Sequence, residues 1–529
     1  MRNFHLPGRS PVHALNGMAA TSHPLASLAA VDCLRQGGNA VDAAVTASAV
    51  LAVVEPHMTG IGGDCFAIVA LPDGTLQGLN GSGRSAAAAT TDFFLERGIT
   101  EIADGSVHAV TVPGAVAAWH RLLSDFGTWG LDRCLQPAIA HAADGFAVAQ
   151  RVGSDWARLE AKLAADPGSA RHYLPGGRAP QVGDVVALPA LARTLRAIAA
   201  GGPEAFYTGA VAEDIVATVR ARGGLLSLDD LAGVDPLAVK PVTAAYRDLE
   251  VAELPPNGQG ITALILLNIL KRFDLAGLDP TGAERFHLEI EAARLAYACR
   301  DAFIADPAAM TVSVEALVSD GYGAALADRI DRHRRLADVT PETIPDADTI
   351  YLTVVDRDRM AVSFINSIYD PFGVGLCTEA TGILLQNRGA CFRVDPAHPN
   401  TIGPRKRPMH TIIPGFALRK GRPLMPFGVM GGAYQACGHA HVISNMVDFG
   451  MDVQAAIDAP RAFWGDETDA VLVEAGVPEA TRAGLRERGH AVAARAEPFG
   501  GGQAILIDWE RGVLVGGSDP RKDGLAIGY

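Results

Sequence analysis

This 529-residue chain changes character once, at residue 349. Before that point helical patterns dominate. PLASLAAVDCLRQGGNA (24–40) and VDAAVTASAVLAVV (41–54) are small-residue helices, 112–220 is a series of helical segments joined by Gly/Pro turns, and 249–270 reads as strand, loop, helix. After it come IYLTVV, AVSFINSIY, MHTIIPGFAL, LMPFGVMGG, AVLVEA, GQAILIDW and VLVGGSD, all short β-branched or aromatic runs, with one helix, HAHVISNMVDFG. The join, DVTPETIPDAD (338–348), is polar, acidic and Pro-containing and reads as a mobile linker. A chain of this length allows two to four domains or one large layered unit of helices and strands.

A threonine stands at the join. Thr349 follows the linker and opens the strand 350–355. One reading is a strand-capping hydroxyl. The other is a nucleophile that becomes an N-terminus. An N-terminal threonine carries its own base, since its α-amine can take the Oγ proton, so no separate histidine is required. The amine exists only once the preceding bond is cut, and a flexible linker suits that cut. The oxyanion formed on attack needs backbone N–H donors. Gly431 and Gly432, where the strand of GVMGGAY runs out, could supply two; an ordinary strand-end turn is the alternative.

Charge and composition exclude several classes. A net charge of −14 offers no basic face for nucleic acid or anionic membranes. The seven cysteines are scattered, odd in number and without CxxC, which fits reduced thiols. The N-terminus has no apolar signal region and no apolar run is long enough to span a bilayer, so a soluble, cytoplasmic protein is expected. No GxSxG elbow or GxxxxGK[ST] loop is present, and GIGG at 60–63 is not GxGxxG. His439 and His441 form HxH, but in a helical context their rings would diverge, so a structural role is expected rather than a metal site. Cys65, in apolar surroundings, reads as a buried core thiol.

Taken together, the motifs resemble the γ-glutamyltransferase family of N-terminal-nucleophile hydrolases. The similarity runs through GGNAVDAAV (37–45), VVEPHMTGIGGD (53–64), VTVPGAVAAW (110–119), EAFYTGAVAEDI (204–215), GGLLSLDDLA (223–232), LPPNGQGITAL (254–264), DTIYLTVVD (348–356), TGILLQNRG (381–389), KRPMHTIIP (406–414), MGGAYQ (430–435) and GGSDPRKDGLAIGY (516–529). The resemblance implies an α+β fold, a four-layer αββα sandwich. It implies autocatalytic cleavage between Asp348 and Thr349, giving a large fragment 1–348 and a small fragment 349–529 intertwined in one unit. It makes Thr349 the nucleophile and Gly431 and Gly432 the oxyanion hole, and places Ser367 where the family has a threonine touching the nucleophile's amine. No metal or cofactor is implied. The expected partners are a small amide substrate and the two fragments themselves, possible as a dimer of heterodimers.

The departures bear on substrate. Family members that cleave glutathione hold the α-ammonium with an Asn, a Gln-type residue and an Asp; here those positions are Tyr369, Arg388 and Cys391. Losing the carboxylate and gaining Arg388 repels an ammonium. One lost charge-assisted bond is worth about 1.5–3 kcal/mol. The paired serines near the α-carboxylate become His410 and Thr411. The carboxylate-binding arginine aligns at Ser82, with Arg84 two residues on as its replacement. The expectation is an amidohydrolase for a small carboxylate without the ammonium, of oxamate type, with weak or no transpeptidation. The alternatives are γ-glutamyl hydrolysis or transfer and, from another class, an unprocessed non-catalytic scaffold.

Overall fold

The computed structural model describes residues 5, 8–337, 339, 349–464 and 469–529. The linker 340–348, with Asp348 and the bond to be cut, lies outside the described residues. Two seven-stranded antiparallel sheets form the centre. The first runs in the order Val12–Ala14, Val513–Ser518, Gly501–Asp508, Arg422–Met430, Gly415–Arg419, Leu249–Glu253, Val242–Tyr246. The second runs Leu525–Gly528, Met18–Thr21, Ile350–Val355, Ala361–Ser367, Asp64–Ala70, Leu76–Gly81, Leu237–Val239. Each sheet combines strands from before and after residue 349. Neither part of the chain can complete a sheet without the other, so a cut at 349 would leave the pieces interleaved.

The sheets face each other, with Ile350–Val355 lying across Arg422–Met430 and Gly501–Asp508. Helices Pro24–Arg35, Ala40–Val54 and Ala115–Phe126 cover the outer face of the second sheet. Gly260–Leu270, Gln435–Val447 and Val453–Asp458 cover the first, and the long helix Ala283–Phe303 packs on Gly260–Leu270. This is the αββα sandwich. It explains why IYLTVV is apolar throughout instead of alternating: a strand with a sheet on one face and helices on the other is buried on both, and every residue of Ile350–Val355 is.

Small residues make the layers close. All fifteen residues of Ala40–Val54 are buried, and its Ala, Ser and Thr positions let neighbouring backbones approach. Its start is fixed locally: Asn39 accepts from the N–H groups of Val41 and Asp42, and Asp42 accepts from Asn39 N at 2.9 Å. Among the described residues no helix is long and apolar enough to cross a membrane. One strand expectation shifts. MHTIIPGFAL becomes regular only at Gly415, because Pro414 cannot donate to a ladder and 409–414 is held by side-chain contacts instead.

Candidate active site

A hairpin places Thr349. Ile350–Val355 pairs antiparallel with Ala361–Ser367 in the register Ile350↔Asn366, which sets Thr349 beside Ser367 at the open end. The turn at the other end keeps that register. Asp356 accepts from Asp358 N (2.9 Å), Met360 N (3.0 Å) and, through its second oxygen, Ala40 N (3.0 Å). Thr349 is buried, and its Oγ1 lies 3.1 Å from Ser367 Oγ. Ser367 in turn pairs with Asp64 on the next strand. The loop before Asp64 must be glycine there, since a Cβ on Gly63 would stand 2.1 Å from the Ser367 carbonyl oxygen.

Arg388 closes one side of this group. It is fully buried, donates from Nη1 to Thr411 Oγ1 (2.7 Å) and from Nη2 to Ser367 Oγ (3.3 Å), and lies over the Tyr369 ring at 4.3 Å. Tyr369 reaches under it from a left-handed backbone (φ 76°) and hydrogen-bonds the Cys391 thiol. Burial pushes that thiol's pKa up, so it supplies no negative charge. No described carboxylate pairs with Arg388, and its buried Nε has no partner. Stacking on Tyr369 returns up to about 2 kcal/mol. A buried, unpaired cation costs several.

Asp64 builds the opposite wall. Its Oδ1 accepts from Gly83 N (3.0 Å), Gly114 N (3.1 Å) and Gln386 Nε2 (2.9 Å), and its Oδ2 faces His410 Nε2 at 3.0 Å. His410 Nδ1 accepts from Ile412 N at 3.3 Å, so Nε2 carries the ring proton and donates to Asp64. Burial, then the charge of Arg388, pull the His410 pKa down to about 3, against the pull of Asp64. The folded state therefore excludes a proton that the unfolded chain takes up near pH 6.5. Stability falls as pH drops from about 6.5 towards 3, by up to about 1.4 kcal/mol per pH unit for one proton. We expect His410→Gln to flatten this acid limb by one proton's worth, read from denaturant midpoints across that range. An unchanged slope would show the ring to be charged in the fold.

The third wall is the turn after Arg422–Met430. Gly431 (φ 123°) and Gly432 (φ 53°) both hold left-handed backbone, and a Cβ on Gly431 would meet Gly500 Cα at 2.9 Å. Among the described residues no acceptor takes either N–H. The Gly431 carbonyl accepts from Tyr434 N (2.9 Å), which fixes the peptide plane that carries Gly432 N–H, and the Gly432 carbonyl accepts from Gln259 Nε2 (3.0 Å), which fixes the following plane, to Ala433 N. A hydroxyl beside a second hydroxyl, two unused N–H donors and an unmatched guanidinium together suit nucleophilic attack on the carbonyl of an anionic amide.

Of the residues singled out in the sequence, Thr349, Ser367, Tyr369, Arg388 and Thr411 meet in one cluster. Arg84 does not join it. Its Nη1 donates to the Arg405 carbonyl at 2.8 Å, in a cavity of about 320 Å³ lined also by Gly83, Val112, Arg405, Arg407 and Asp230. His410 lies beside the cluster, but both its nitrogens are engaged, so it has no donor left for a substrate carboxylate. The contacts of His410 leave no donor for a carboxylate, whereas those of Arg84 engage one of its nitrogens only. Asp64, Gln386 and Gln259 went unassigned although they lie within GIGGD, LLQNRG and NGQG; buried polar residues between glycines were the available signal.

The other candidates resolve structurally. Cys65 is buried, as are all seven cysteines, and none is in a disulfide. His439 and His441 do diverge, to Glu253 (2.7 Å) and Glu289 (3.0 Å). His287, Glu291 and His490 gather three metal-type ligands, but hydrogen bonds already use them. His287 Nε2 donates to the Asp331 carbonyl (2.8 Å) and its Nδ1 faces His490 Nε2 (2.8 Å). Glu291 accepts from Arg294 (2.8 Å) and Leu336 N (2.7 Å).

Comparison with known proteins agrees with this geometry. The family profile described as Gamma-glutamyltranspeptidase matches residues 26–529. The glutathione hydrolase-like YwrD proenzyme of Bacillus subtilis (strain 168) is 38% identical over 97% of this chain and 98% of its own length. The oxamate amidohydrolase proenzyme of Klebsiella pneumoniae is 36% identical over 97% and 98%. The crystal structure of a cephalosporin acylase from Bacillus halodurans superposes with a TM-score of 0.93 at 41% identity, covering 100% of this chain and 99% of that one.

Proposed function

This chain belongs to the γ-glutamyltranspeptidase family and is an amide-bond hydrolase of the N-terminal-nucleophile superfamily, and from that premise we propose that it is an autoprocessed amidohydrolase for a short acyl amide bearing a carboxylate, of which oxamate is the type. Processing frees the nucleophile. The Thr349 hydroxyl attacks the Asp348 carbonyl, the peptide C–N bond breaks, and the resulting ester is hydrolysed by water to give fragments 1–348 and 349–529. The freed α-amine then takes the Oγ proton as Oγ attacks the substrate carbonyl. Gly431 and Gly432 N–H groups hold the oxyanion. The amine returns the proton to the leaving nitrogen, and water releases the acid by the same route. Ser367 holds the amine through its hydroxyl.

The observation that carries the substrate class is Arg388. Among the described residues its guanidinium has no anionic partner and is joined to Thr349 Oγ1 through Ser367, so it stands two hydrogen-bond lengths from the nucleophile. A carboxylate bonded directly to the scissile carbonyl, as in oxamate, falls within that reach; an α-carboxylate at the far end of a γ-glutamyl chain does not need it. The α-ammonium of a γ-glutamyl group would meet a like charge and no carboxylate. The names of the relatives divide between glutathione hydrolase-like, oxamate amidohydrolase and cephalosporin acylase, and the second is the one whose substrate has this shape. We expect kcat/KM for oxamate to exceed that for γ-glutamyl-p-nitroanilide by at least about 10–100-fold, the worth of one charge-assisted bond. A preference for the γ-glutamyl compound overturns the reading. Transpeptidation to added dipeptides is expected to be weak.

A further inference from the structure

Gln259 is fully buried between the catalytic turn and the long helix. Its Nε2 donates to two carbonyls, Thr411 (2.7 Å) and Gly432 (3.0 Å). Its Oε1 accepts from Arg300 Nη1 (3.0 Å), and its own N–H donates to the His410 carbonyl (2.8 Å). The amide can sit only this way round. Turned over, its oxygen would face two carbonyls and its NH₂ a guanidinium. Arg300 is itself fixed, donating from Nε to Asp301 (2.6 Å) and stacking over Tyr297. Tyr297 donates to the next carbonyl of the turn, Ala433.

Two left-handed glycines in succession have no side chains to hold their peptide planes. The plane from the Gly431 carbonyl to Gly432 N–H is fixed by the turn itself, through Tyr434 N; the following plane, from the Gly432 carbonyl to Ala433 N–H, is fixed by Gln259, so Gly432 is held from both sides. The same NH₂ grips Thr411, whose hydroxyl receives Arg388. We infer that Gln259 is the positioning residue that, by holding the plane after Gly432, sets the Gly431–Gly432 turn against the Thr411–Arg388 segment, so that the oxyanion and the acyl group are held in one geometry. The inference rests on reading those glycines as the oxyanion donors. Gln259 touches no reacting atom and acts through the backbone it orients.

The test separates positioning from folding. In the processed two-chain enzyme, Gln259→Leu keeps the volume and loses both donations, whereas Gln259→Glu keeps the Arg300 contact and puts an oxygen against two carbonyls. Both are expected to lower kcat by about 10²-fold, the cost of a misplacement near 1 Å, with KM moved less than about 3-fold. A peptide-boronate-like tetrahedral mimic of the acyl group should lose affinity by the same factor as kcat/KM, while the product acid binds as before. Kinetics are run on whichever amide the wild type turns over faster, so a wrong substrate assignment leaves the result readable. If kcat is kept in Gln259→Glu, or if product-acid affinity falls as far as that of the tetrahedral mimic, the inference is overturned. If Gln259→Leu yields no processed enzyme, the Gln259→Glu result decides alone.

Discussion

Thr349→Ala remains one full-length chain under denaturing conditions, while the wild type separates into two pieces, the smaller beginning at Thr349. The expected loss of amidase activity is at least about 10⁴-fold, as for removal of a nucleophile in other acyl-transfer enzymes. The alanine itself is no burden on the fold. Thr349 is buried beside Ser367, its hydroxyl makes one hydrogen bond, and the strand register is set by the Asp356 turn and the 350–355 pairing. The two parts of the chain interleave in both sheets whether or not they are joined, so the uncut variant should show wild-type secondary structure. Thr349→Ser keeps the hydroxyl and should still be cut, more slowly where the lost methyl lets the hydroxyl rotate. Intact mass settles each point. A cut Thr349→Ala chain would place the processing nucleophile elsewhere. A wild type that stays whole would mean that the α-amine never forms, and the mechanism would fail with it.

Some of this was legible in the sequence because it is local. The strand 350–355 has its apolar run, the helices 24–35 and 40–54 their small-residue patterns, and the change at 349 marks where strands take over. Thr349 stood out by its place between linker and strand, where a capping hydroxyl was the alternative, and the resemblance made it the expected nucleophile. The interleaving of the sheets is not local. No pattern in 237–253 or 513–528 says which strand it will neighbour, and the layered fold came from the resemblance. Side-chain direction was the other loss. Arg84 is two residues beyond Ser82, and its guanidinium meets the Arg405 carbonyl, a partner far along the chain. His410 was expected at the anion because it stands where the family has one of two paired serines. What decides its role is Asp64, 346 residues away in the chain, which takes the one proton the ring has to give. Gln259 was hidden for the same reason: its partners, Thr411, Gly432 and Arg300, come together only in the fold.

Replacing Arg388 should separate substrate binding from stability in opposite directions. Arg388→Gln keeps a donor for Thr411 or Ser367 and removes the charge. If the guanidinium waits for a substrate carboxylate, kcat/KM for oxamate falls by about 10²–10³-fold, the cost of removing one partner of a buried pair. Oxamide, the uncharged analogue of the same size, should lose little, and the ratio between the two substrates is the readout. The ligand-free variant should melt at the same temperature as the wild type or higher, because a buried cation without an anion destabilises the fold and the variant has none. Adding oxalate, the product of oxamate hydrolysis, should then raise the wild-type melting temperature as the charge is matched, and leave the variant's unmoved. Equal losses on both substrates with a lower melting temperature would make Arg388 a structural clasp between Ser367 and Thr411. The two roles predict opposite signs for the stability change, so one melting curve without ligand already distinguishes them before any substrate is tried.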